Sequence, residues 1–100
     1  MVGLTRALSA EVGADNIRVN AILPGVIEGP RMRGTIARHA AAVNVSLNEM
    51  TDRYVSKNVL RRFVDPQEVA DMIVYLCSPS AQSITGQSVA IDADHQTLMS

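Results

Sequence analysis

Tyr54 and Lys57 are the residues whose types and spacing come nearest to an acid–base pair. Three positions apart, they can share a helix face, and an ammonium beside a phenol favours proton release from it. Lys57 is the only lysine in the chain, and Tyr75 is the only other tyrosine. Glu28, in a loop, could meet a sugar hydroxyl or a substrate, although a loop carboxylate is usually just solvated. Asn20 reads as a structural hydrogen-bonding residue at a strand. Arg61-Arg62 could greet an anion, but adjacent surface cations usually do not. His39 has apolar neighbours and no partner at metal-ligand spacing, and His95 lies near the end, so no metal site is expected. Cys77 reads as a small core hydrophobe.

The elements that must position these groups alternate between helix and strand. Met1, Leu4, Leu8 and Val12 mark one face of a helix over 1–13, with Gly13 as its stop. This stripe is expected to be core first and an associating face second. The run 17–23, Ile17-Arg18-Val19-Asn20-Ala21-Ile22-Leu23, alternates and is apolar enough on its second face for a covered parallel strand. Pro24-Gly25 ends it, since proline cannot donate to a ladder and glycine allows a sharp turn. A helix is expected between Arg31 and Val43 despite Gly34. Ser46 with Glu49 forms a capping-box signal for another, with Leu47, Met50 and Tyr54 on one face. Asp65-Pro66-Gln67-Glu68 sets aspartate, then proline, then acid at a helix start. Val69, Met72, Ile73 and Leu76 follow at helical spacing, and Pro79 closes that element. Ser88–Asp92 reads as a second strand. Such a strand–helix–strand order implies a right-handed crossover between parallel neighbours. Ligands of these sheets bind beyond the carboxyl ends of the strands, which points to the loop after Leu23.

Composition narrows the partners. The chain is 47 % hydrophobic with a formal charge of −1, which fits a folded domain and offers no footprint for nucleic acid or an anionic membrane. No apolar run approaches the roughly 18 residues of a membrane span. With one cysteine there is no internal disulfide, and a reduced, cytoplasmic setting is expected.

Four stretches, in register, resemble the C-terminal half of the short-chain dehydrogenases/reductases. Gly3–Ser9 is similar to the helix that follows that family's catalytic lysine. Ile17–Gly25 is similar to its sixth strand and the proline-glycine turn beside the nicotinamide. Asp65–Ala70, with Leu76 and Ser78, is similar to its next helix. Thr85-Gly86 leading to Ile91-Asp92 is similar to its seventh strand. The resemblance implies an α/β fold, the C-terminal part of a doubly wound, Rossmann-type parallel sheet, with two strands and flanking helices. It implies one partial domain over 1–100, with a helical substrate-loop insertion at about 29–57. It also implies an NAD or NADP cofactor, an alcohol or ketone substrate (by analogy with the 3-oxoacyl-acyl-carrier-protein reductases, which the chain resembles) and a homo-oligomer. The cofactor-binding residues carried over are Pro24, Gly25, Ile27 and Gly29. The Ile27 backbone would bond the nicotinamide carboxamide, and Gly29 stands where the family usually has a threonine. Ala93 and Asp94 replace the usual glycine pair after the seventh strand.

The same resemblance marks what these residues do not carry. The family holds the diphosphate with threonine-glycine-x-x-x-glycine-x-glycine. Here glycines fall at 3, 13, 25, 29, 34 and 86; Gly25 and Gly29 have the first spacing, but Arg31 occupies the next position. The family's proton donor is a tyrosine with a lysine four residues later, ahead of the helix near Met1, so Tyr54 and Lys57 come too late and no catalytic residue is assigned. The expectation is a fragment of an oxidoreductase, inactive and marginally stable alone, with weak or absent cofactor binding. The alternative is a non-catalytic module that associates with full-length subunits.

Overall fold

A computed structural model describes residues 2–95. In chain order the elements are α1 (Val2–Val12), a 3-10 turn (Gly13–Asp15), β1 (Ala21–Pro24), α2 (Pro30–Ala42), α3 (Leu47–Val55), α4 (Pro66–Leu76), a second 3-10 turn (Pro79–Ala81) and β2 (Ser88–Ile91). The expected order of helix, strand, helical insertion, helix, strand is the observed one. The chain forms two compact units, Met1–Leu23 with Gln67–Ile91 and Pro24–Pro66 with Asp92–Ser100. Among the described residues no helix is long and apolar enough to cross a membrane.

In the first unit β1 and β2 pair as a two-stranded parallel sheet. The regular ladder is shorter than the run 17–23, for a visible reason. Before Ala21 the chain is held largely by side chains: the Val19 amide donates to the Thr85 hydroxyl at 3.0 Å. Asn20 donates from Nδ2 to the Ile84 carbonyl at 3.0 Å and accepts from the Gln87 amide at 3.1 Å. Asn20 therefore has the structural role expected of it. Backbone bonds from Gly86 to the Val19 carbonyl and from Ala21 to the Gln87 carbonyl complete the seam. Gly86 has φ +74°, and a Cβ there would lie 3.2 Å from Ser9 Oγ, so this tight left-handed position requires glycine.

The stripe on α1 faces the other way from the expectation. Thr5 and Ser9 are the buried residues, while Leu4 is 60 % and Leu8 39 % exposed. Ser9 is drawn inward by a 2.7 Å hydrogen bond to Thr85. α1 stops at Val12, directly before Gly13 as expected, and Gly13 opens a 3-10 turn that closes at Asn16 in left-handed backbone, φ 59°. Cys77 is exposed rather than core, because it lies just past the end of α4, where Leu76 takes the inward position.

In the second unit α2 and α3 pack around Ile36, Ala40 and Met50, flanked by Met32, Val45, Tyr54 and Phe63. The Ser46 half of the capping box is present, its Oγ accepting the Glu49 amide at 3.0 Å, while the Glu49 carboxylate pairs with Arg53 at 3.2 Å rather than with the Ser46 amide. The helix after Asp65 begins at Pro66, as the aspartate-proline start requires. The segment at about 29–57, expected to be a helical insertion, is two helices with a small core of their own.

Candidate functional site

β1 ends at Pro24, and the chain does not turn freely there. Ile27 forms an isolated parallel bridge with Val64. The Val64 amide donates to the Val26 carbonyl at 2.8 Å, and the Glu28 amide donates to the Val64 carbonyl at 2.8 Å. In a parallel ladder the residue bracketed by two such bonds directs its own N–H and C=O to the opposite edge. Ile27 is that residue. Val64 itself is 1 % exposed, a firm support.

Gly25 is needed for close approach rather than for an unusual backbone angle. A Cβ at Gly25 would stand 2.6 Å from Asp92 Cβ and 2.7 Å from Asp92 Cα. The turn is thus gripped from two sides, by Val64 and by Asp92. Gly29 caps α2 with extended backbone, φ 166°, and no side-chain cap. A Cβ there meets nothing within 4 Å, so neither sterics nor backbone demands glycine. Pro30 occupies the first turn of α2. Gly25, Ile27, Gly29, Pro30 and Thr35 line an open cavity of about 560 Å³. Among the four residues singled out by resemblance, Gly25, Ile27 and Gly29 border this cavity, and Pro24 leads into it.

The other candidates have local partners. Glu28 pairs with Arg33 on the surface. The Tyr54 hydroxyl meets His39 Nδ1 at 3.0 Å, with the rings edge to face at 5.8 Å, so its partner is an imidazole on α2 rather than Lys57. Arg61 donates to the Ser56 carbonyl and Arg62 to the Phe63 carbonyl, which ties both to their own segment. Among the described residues no group of three metal-ligating side chains converges. Ala93 and Asp94 both adopt left-handed backbone, φ 53° and 56°, the conformation for which glycine is suited.

Val64 and Asn58, which the sequence does not mark, matter to this turn, as does Asp92, which the sequence marks only as a strand end. No short-range pattern reveals them, since each acts through contacts to residues well over thirty positions away along the chain, and Asn58 also through Arg62.

The arrangement suits a carboxamide, which offers one acceptor and one donor in a plane. The adjacent N–H and C=O of Ile27, directed to the edge away from Val64, complement that pattern. A nicotinamide therefore fits the residues present.

Comparison with known proteins agrees in fold and lineage. The family model described as enoyl-(acyl carrier protein) reductase matches residues 1–93. A putative ketoacyl reductase of Streptomyces coelicolor is 37 % identical over 92 residues, covering 91 % of this chain and 35 % of that protein. The F189W actinorhodin polyketide ketoreductase, solved with NADPH, superimposes with a TM-score of 0.79 at 35 % identity, over 92 % of this chain and 35 % of that one. L-sorbose reductase of Gluconobacter frateurii, solved with NADPH and L-sorbose, gives 0.82 at 29 % identity, over 97 % and 38 %. The chain belongs to the short-chain dehydrogenases/reductases, in the group that the enoyl-(acyl carrier protein) reductase model describes. It spans about a third of the length of the curated relatives it matches.

Proposed function

We propose that these hundred residues form the nicotinamide wall and substrate-loop helices of an NAD(P)-dependent oxidoreductase that interconverts an alcohol and a ketone. The carrying observation is the Ile27–Val64 bridge, which turns the Ile27 amide and carbonyl away from the ladder, toward the edge where a carboxamide would bind. When bound, a nicotinamide supplies the hydride acceptor or donor. The chain's own residues orient it. Ile27 offers the donor–acceptor edge, and Gly25 keeps that edge close to Asp92. Pro24 ends the ladder so that the turn can form, and Gly29 opens α2 without adding a side-chain donor. The α2–α3 pair, with its own small core, would cover the substrate as a preformed body rather than as a slack loop.

Hydride transfer also requires a hold on the diphosphate and a proton donor at the reacting oxygen. We assign neither to residues 1–100, because the glycines lack the needed spacing and Tyr54 is engaged with His39. Residues 1–100 alone should bind NADPH weakly and turn nothing over. The native polypeptide carrying them should consume NADH or NADPH at 340 nm when given ketones. A micromolar dissociation constant for NADPH with the hundred residues alone would overturn the division of labour, and a native polypeptide inert toward every ketone with both cofactors would overturn the reading itself.

One observation favours association as a second role. Val2, Leu4 and Leu8 are exposed on α1, and an apolar helical stripe of this kind suits a second protein surface, including another copy. Sedimentation of the native polypeptide as a monomer at all concentrations would remove this reading.

A further inference from the structure

Asn58 is fully buried at 0 % exposure, and a buried amide is costly unless both of its polar atoms are bonded. Here both are. Nδ2 donates to the Arg62 carbonyl at 2.7 Å. That bond fixes which end of the amide is which, so Oδ1 must be the atom facing His95 Nδ1 at 2.6 Å. An amide oxygen only accepts, so His95 must carry its proton on Nδ1. Backbone bonds flank this contact: the Val59 amide donates to the Asp94 carbonyl and the Leu60 amide to the Ala93 carbonyl. Asn58 and His95 are also bridged as an antiparallel pair.

These contacts close a ring. Gly25 rests on Asp92. Asp92 continues through Ala93 and Asp94 to His95, which meets Asn58. Asn58 fixes Arg62, two residues before Val64, and Val64 holds Val26 and Glu28 on either side of Ile27. We infer that Asn58 and His95 form a polar clip that positions the Ile27 edge, joining the two supports of the turn into one closed frame. This rests on the reading of Ile27 as the carboxamide contact. Neither residue lines the cavity beside Ile27; both act through the backbone of the turn, and a displacement of the edge by about 1 Å is enough to misalign a bound ring.

The test uses the native polypeptide with hydrogen exchange read by mass spectrometry on peptides containing Glu28 and Val64. His95→Phe removes the donor at a half-buried position, and His95→Gln supplies an amide N–H in its place. His95→Phe is expected to speed exchange at Glu28 and Val64 roughly tenfold, the loss of about one hydrogen bond, with α1 unaffected. His95→Gln is expected to restore the slow rate. In the same proteins, the KM for the nicotinamide cofactor should rise with His95→Phe and return with His95→Gln. Unchanged exchange at both amides in His95→Phe, or faster exchange with an unchanged KM, overturns the clip. If the wild-type protein binds no nicotinamide cofactor while exchange responds as expected, it is the functional reading that fails, and the positioning role with it.

Discussion

Replacing Gly25 by alanine tests the close approach at the heart of the turn. The added methyl would sit 2.6 Å from Asp92 Cβ and 2.7 Å from Asp92 Cα. Carbon atoms pack best at roughly 3.5–4.0 Å, so the overlap is about 1 Å. Retreat by Asp92 is hindered, because it directly follows β2 and its Oδ1 accepts the Asp94 amide at 2.9 Å. Forced overpacking of this sort costs up to about 3 kcal/mol. Against it stands the reduced freedom of the unfolded chain, which favours alanine by about 0.4–1 kcal/mol. The net expectation is a loss of about 2 kcal/mol, read by denaturant titration of the native polypeptide. Gly29→Ala is the control: with open space and extended backbone it should stay within about 0.5 kcal/mol of wild type. A Gly25→Ala protein as stable as the Gly29→Ala control would refute the argument.

Three further outcomes follow from the same geometry. Ala93→Gly should raise stability by about 1 kcal/mol, because φ 53° is unfavourable for a residue with a Cβ; an unchanged denaturant midpoint would count against this. Asn20→Ala removes the bonds to Ile84 and Gln87 and should destabilise by about 2 kcal/mol, with the first unit opening in hydrogen exchange. Ser46→Ala should cost about 1 kcal/mol through loss of the α3 cap, and a loss smaller than the error of the melt would remove the cap from the account.

What could be read from the chain was what depends on neighbours in sequence. Ser46 with Glu49, and Asp65 with Pro66, mark helix starts through bonds and dihedrals made within one turn, and both helices begin where those residues place them. Asn20 stood out because a polar side chain in an apolar run must find partners. The inward face of α1 is not legible in the sequence, since periodicity locates a stripe without saying what lies opposite. The hydrogen bond between the Ser9 and Thr85 hydroxyls, 76 residues apart, marks the face that is buried. Cys77 is exposed against expectation for a related reason: it falls one residue past the inward-facing Leu76. Gly25 was noticed as a turn residue, but its contact with Asp92 depends on packing across 67 positions, which no local pattern encodes. The same is true of Val64, whose bridge to Ile27 gives the turn its exposed edge.

That edge can be tested with a single backbone atom. Ile27→Pro deletes the outward N–H while sparing both ladder bonds, which use the Val26 carbonyl and the Glu28 amide. Ile27→Ala keeps the N–H and shortens only the side chain. Equilibrium titration of NADPH into the native polypeptide should then show binding weakened about tenfold by proline, relative to alanine, as expected for one lost hydrogen bond. Equal affinity in the two variants, with both folded, would mean that the Ile27 amide does not hold the nicotinamide.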